Sequence, residues 1–324
     1  MKLKHIIISV VSAFAAISVP ASAGVIGMAD LSIKSFAIVD MNHAGINPAY
    51  VNIQGDNRTG NATSTFNGVS GTGIGNNELS GTSISGSTVD VKYRCAGPDC
   101  GSVASYYAGG AQPLITGGAL PENDLNTHLM TPVGNFALGD MLIGGSALSG
   151  PGSFGLTRAD SSVANAVNVA TANATIANGV QATTSTTFSL ATTVQAEFAV
   201  TYDAFTKVFL DANSSGDALA AISWGLELTQ KVGNKFVSVL KWSPDAINSR
   251  LAAFDPTGSD EYSSAGTVFS TPVTFLAHTI YKLNISQSSN SRAADAADVP
   301  EPASIFLIGL GLAGLGFARR RQSK

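Results

Sequence analysis

Apolar and polar residues alternate most regularly between residues 185 and 286 of this chain. Phe188 and Leu190 alternate with Thr187 and Ser189, and Phe198, Val200 and Tyr202 with Glu197, Thr201 and Asp203. Further on, Trp224, Leu226 and Leu228 alternate with Ser223, Gly225, Glu227 and Thr229, and Tyr281, Leu283 and Ile285 with Lys282, Asn284 and Ser286. Successive strand side chains point to opposite faces, so a period of two predicts strands with one wet face. The stretch SWGLELTQKVGNKFVSVLKW adds a hairpin, with its turn near Gly233-Asn234 and aromatic residues on both arms. Strands of this kind with turns between them predict a mainly β body, an antiparallel β-sandwich of the jelly-roll kind.

The front half of the body, taken as residues 24–290, is less regular. LSIKSFAIVD and YVNIQG read as strands. From 57 to 88 Gly, Ser, Thr and Asn dominate, with Phe66, Val69, Ile74, Leu79 and Ile84 at intervals. So few large residues bury little area against the entropy of ordering, which predicts a flexible loop or a shallow edge region. Residues 160–178 fit either a strand or a helix capped by Asp160; the β-branched residues and Asn favour the strand. SRAADAAD, within a linker over 291–299, reads as a tether of small polar residues.

Both ends differ from this body. Lys2 and Lys4 precede an apolar run from Ile6 to Val19 and then Pro20-Ala21-Ser22-Ala23 before Gly24. A basic start, a short apolar run and an Ala-x-Ala site make residues 1–23 a signal peptide cut between Ala23 and Gly24; the alternative is an N-terminal anchor. The last stretch, ADVPEPASIFLIGLGLAGLGFARRRQSK, holds sixteen uncharged residues from Ala303 to Ala318. As a helix they span about 24 Å, short of the roughly 30 Å hydrocarbon core. Snorkelling side chains and local bilayer thinning close the gap. Arg319, Arg320 and Arg321 then place the C-terminus in the cytoplasm and the body outside. Pro300 and Pro302 disfavour helix, so Pro300-Glu301-Pro302 is an extended peptide at the outer membrane face, a form that a protease cleft accepts.

In order, spacing and terminal position, VPEPASIFLIGLGLAGLGFARRR resembles the PEP-CTERM sorting signal, taken here as residues 300–324 with a transmembrane helix over 303–318. The resemblance covers about the last 25 residues. It implies processing by exosortase, a membrane-embedded cysteine transpeptidase-like enzyme of Gram-negative bacteria. Pro300, Glu301 and Pro302 would form its recognition motif, held in place by the helix and the arginines. It also implies a place at the cell surface or in an extracellular matrix, with exopolysaccharide as a possible partner. The alternative is a plain single-pass anchor.

Removing both ends changes the charge balance. Of 18 Lys and Arg, two lie in the leader and four in the tail, leaving 12; of 22 acidic residues only Glu301 lies in the tail, leaving 21 and a net of −9. A body this acidic offers no basic stripe to nucleic-acid phosphates. Cys95 and Cys100 in CAGPDC flank the turn residues Gly97-Pro98-Asp99, and export predicts a local disulfide between them.

Candidate chemistry is sparse. His43, His128 and His278 are far apart in sequence without metal-ligand spacing. Gly144-Gly145-Ser146-Ala147-Leu148 falls short of a nucleophile elbow, and Gly71-Thr72-Gly73-Ile74-Gly75-Asn76 lacks the third glycine of a dinucleotide loop. Asp211, Asn213, Ser215 and Asp217 alternate around Gly216 as in the start of a calcium loop, but Ile222 stands where the bidentate Glu belongs, which makes a solvated turn the leading reading. Trp224, Trp242, Tyr202 and Tyr281 would stack on sugar rings if exposed, although their phase favours the core. The sequence therefore predicts no cofactor and no enzymatic activity. It favours a structural or adhesive surface component, ahead of a carbohydrate-binding module and then a secreted hydrolase.

Overall fold

A computed structural model describes residues 24–79, 89–102, 128, 134–145, 153–164, 180–211, 216–254 and 258–295. In chain order its strands are β1 (Val25–Asp40), β2 (Val51–Phe66), β3 (Val69–Leu79), β4 (Val89–Ala96), β5 (Phe136–Gly144), β6 (Ser153–Val163) and β7 (Val180–Leu190). The second half adds β8 (Val194–Leu210), β9 (Asp217–Val232), β10 (Lys235–Trp242), β11 (Ser249–Phe254), β12 (Gly258–Phe269), β13 (Val273–Phe275) and β14 (Ile280–Ala294). Short 3-10 turns at Pro48–Tyr50, Cys100–Ser102 and Asp245–Ile247 are the helical elements among the described residues.

The strands form two sheets whose ladders are antiparallel. One sheet runs β12-β8-β1-β6-β5-β4, with β13 also paired to β8; the other runs β10-β9-β14-β7-β2-β3, with β11 also paired to β9. Each sheet thus mixes early and late segments. The first strand lies between β8 and β6, and the last lies between β9 and β7.

Two-residue alternation builds the layer between the sheets. Phe198, Val200 and Tyr202 of β8 face Trp224, Leu226 and Leu228 of β9 and Tyr281 and Leu283 of β14 within one buried cluster. Their rings pack directly: Phe36 stacks on Phe198 at 5.6 Å, and Phe188, Phe275 and Tyr281 meet at 5.0–6.0 Å. In β1 the register shifts between Ile33 and Phe36, a bulge that moves the buried phase from odd to even positions. Phe36 and Ile38 therefore still face the core. A second, smaller cluster covers the other face of the first sheet, where Ile26, Met28, Phe136, Leu138 and Phe205 are buried.

Further along β14 the same inward face changes chemistry. Gln287, Ser289 and Ser291 are buried, and they meet Thr157 and Ser161 of β6. Ser161 and Ser291 hydroxyls lie 2.7 Å apart and those of Thr157 and Ser289 2.9 Å. The Gln287 amide donates to the Leu31 carbonyl at 2.8 Å and to Thr157 Oγ1 at 3.0 Å. The sheets approach so closely here that a side chain at Gly27 would collide with the carbonyl oxygens of Leu219 and Arg292.

One expectation changes, and two are met in part, with β3 at the edge of its sheet. Residues 57–79 of the Gly/Ser/Thr/Asn stretch belong to a hairpin: β2 pairs β3 from Asp56–Leu79 to Phe66–Val69 around Asn67-Gly68, both at positive φ. Such a turn matches strand twist, and β2 is pinned on its other side by β7. The linker begins later than 291, because β14 runs on to Ala294 and Asp295 is only 1% exposed. Of 160–178, residues up to Val163 complete β6, while the stretch from 165 to 179 lies outside the described residues. The hairpin at 223–242 forms as β9–β10, with Gly233 at φ +61° in the first central position.

Candidate functional site

The sequence-derived candidates fall at five places. The aromatic residues considered for sugar stacking are largely interior: Trp224 is 2% exposed, Tyr202 and Tyr281 are buried, and Trp242 is half-buried, edge-on to Trp224 at 5.4 Å. The Tyr281 hydroxyl accepts a hydrogen bond from the Leu276 amide, and that of Tyr202 meets Ser264 Oγ, so both phenols are used within the fold.

The histidines are separate. His43, exposed in the turn after β1, stacks on Phe269 and lies 3.6 Å from Glu197. His278 sits in a left-handed conformation and its amide donates to Leu190 O. His128 contributes to a buried polar group on the outer face of the first sheet. Antiparallel register brings Asp30 of β1 and Asp140 of β5 to either side of Arg158 of β6, and Phe205 of β8 beside Asp30. Arg158 donates to Asp160 and lies 3.7 Å from Asp30; His128 Nε2 reaches Asp30 Oδ2 at 3.2 Å while its ring stacks on Phe205. Periodicity could not reveal this cluster, since its members come from five separate segments. Its chemistry is charge pairing: the carboxylates of Asp160 and Asp30 lower the penalty of burying the Arg158 guanidinium. A second buried pair, Arg58 with Asp56 on β2, is tied to Thr186 of β7 at 3.0 Å.

Cys95 and Cys100 are joined by a disulfide, with Cα atoms 5.7 Å apart, and Asp99 within that loop accepts from the Asn135 amide at 2.7 Å. In the calcium-loop candidate, Asn213 and Ser215 lie outside the described residues. Asp217 is engaged by Arg292 at 3.2 Å, and the Asp211 amide donates to Gly24 O. Among the described residues no three His, Cys, Asp or Glu side chains are grouped to hold a metal ion.

The fifth place is the end of β14. Ala294 pairs with Asp217, Ser291 is held by Ser161, and Ala293 is buried, so the folded body continues to Asp295. Four residues separate Asp295 from Pro300-Glu301-Pro302. Residues 298–322 match the PEP-CTERM protein-sorting motif. The PEP-CTERM motif covers the proline-flanked peptide, the uncharged run and the arginine cluster, and it implies processing by exosortase and sorting to the cell surface or extracellular space. No curated protein and no solved structure matches the chain.

Pro300, Glu301, Pro302, Arg319, Arg320 and Arg321, the helix expected over 303–318, and Ala21 and Ala23 of the leader lie outside the described residues. Among the described residues no helix is long and apolar enough to cross a membrane. Gly24 opens the described body, next to β14: the Gly27 collision with Arg292 places the start of β1 against the last strand. Sequence reasoning missed this juxtaposition, because nothing local ties residue 27 to residue 292.

Proposed function

We propose that the protein is a non-enzymatic structural or adhesive component of the bacterial cell surface or extracellular polymeric matrix. In this reading residues 1–23 direct export, and the segment over 303–318 holds the chain in the membrane. Exosortase then acts at Pro300-Glu301-Pro302, releasing a jelly-roll-like β-sandwich among exopolysaccharide. The observation that carries the reading is the PEP-CTERM motif at 298–322, placed directly behind a body folded to Asp295. The acidic body and its ladder of interlocked strands support a durable outer component. Burial of Trp224, Tyr202 and Tyr281 removes the residues that best suited a carbohydrate-binding module.

Mass spectrometry of the protein from membranes and culture medium tests the proposal. The expected mature chain begins at Gly24, ends near Pro300-Glu301-Pro302 and lacks Arg319–Lys324. Truncation before Pro300 is expected to change where the protein accumulates. An intact C-terminus in the final location, or a truncated chain with unaltered location, overturns it.

A further inference from the structure

The strands place both ends of the described body together. Val25 pairs with Leu210 and Val163, and the Asp211 amide donates to Gly24 O at 2.9 Å. Ala294 pairs with Asp217, and a side chain at Gly216 would collide with the Ala294 carbonyl. Gly24 and Asp295 therefore leave the sandwich at one end, beside the β8–β9 connection.

What distinguishes this end is its lack of slack. Only Ala296, Ala297, Asp298 and Val299 separate Asp295 from Pro300. Fully extended, the path from Asp295 to Pro300 spans about 17 Å. β14 has 15 residues, so the body is about 50 Å long in the strand direction. Six paired strands make each sheet about 24 Å across. On that tether the Gly24–Asp295 end is the part of the body held nearest to anything bound at the motif. Peeling β14 to gain length breaks the Ser161–Ser291 contact and the Arg292–Asp217 pair, and exposes Ala293 and Asp295.

We infer that the end of the sandwich formed by Gly24, Asp211, Gly216, Asp217 and Asp295 is the face that rests against the membrane-embedded processing enzyme. The length of 296–299 sets how deeply the motif enters that enzyme. This rests on the sorting reading above.

The test uses the full chain in the bacterium that makes it, with the rate of tail removal read by pulse-chase and the product's C-terminus by mass spectrometry. Deleting Ala296 and Ala297 shortens the reach by about 7 Å. It is expected to slow processing about ten-fold or more, because displacing a substrate from its reactive position removes most of the rate. Putting two glycines in place of the deleted alanines is expected to restore it. Protease resistance of the body confirms that each variant folds, as expected for changes lying beyond β14. A shortened chain processed at the original rate, while a chain truncated before Pro300 is not, overturns the inference and leaves the sorting reading standing. A truncated chain with unaltered location overturns both.

Discussion

The space between the sheets is filled in two ways. At one end Phe36, Phe188, Phe198, Phe275, Tyr281 and Trp224 pack ring against ring. At the other, Gly27, Thr157, Ser161, Gln287, Ser289 and Ser291 let the backbones come close and join them by hydrogen bonds. β14 passes through both, with Tyr281 and Leu283 facing inward at its start and Gln287, Ser289 and Ser291 facing inward further on. The aromatic end is held by apolar area removed from water, at about 25 cal/mol per Å². The seam is held by satisfied polar groups whose net worth is about 1 kcal/mol each. Its second requirement is steric, since a close approach admits no added atoms.

That contrast fixes the order of expected effects. Phe198→Ala opens a cavity beside the rings of Phe36 and Phe275 and should destabilise by about 4 kcal/mol, read by chemical denaturation. Gly27→Ala leaves every ring in place but drives a methyl group into two carbonyls; a loss of about 3 kcal/mol is expected, the upper part of the overpacking range. An alanine at Gly27 that costs nothing would show that the sheets separate freely, and the distinction between the regions would fail. Ser291→Ala removes the contact with Ser161 and should cost about 1 kcal/mol, and the Ser161→Ala, Ser291→Ala double variant should cost less than the sum of the singles, because their mutual contact is lost only once. A double variant worse than the sum of the singles would mean that the hydroxyls contribute more than their mutual contact.

The two regions also differ in how far the sequence reveals them. Alternation of Phe, Leu, Trp and Tyr with polar residues marks β7, β8, β9 and the start of β14, because large apolar side chains declare which face is buried. In the seam the buried face is Ser, Thr, Gln and Gly, residues that look like a solvated face. SRAA therefore reads as tether, although alternate positions along QSSNSRAA are interior. The stretch after residue 57 misleads in the same way: Arg58, Ala62 and Ser64 are buried on β2. There a local signal did exist, since Asn67-Gly68 is the dipeptide that a tight hairpin prefers. The Asp30–Arg158–His128 group and the placing of Gly24 and Asp295 at one end of the body had no local signal, being products of long-range register. The sorting motif was the reverse case, legible because its order of parts is linear.

The central place of β14 in its sheet bears on how the body forms. Its neighbours β9 and β7 cannot be joined until residues 280–294 are available, and β1 waits likewise for β6 and β8. Pairings between segments so distant in the chain are slow to nucleate. The polypeptide therefore emerges almost whole before any sheet can close, and final assembly coincides with arrival of the tail that marks it for sorting.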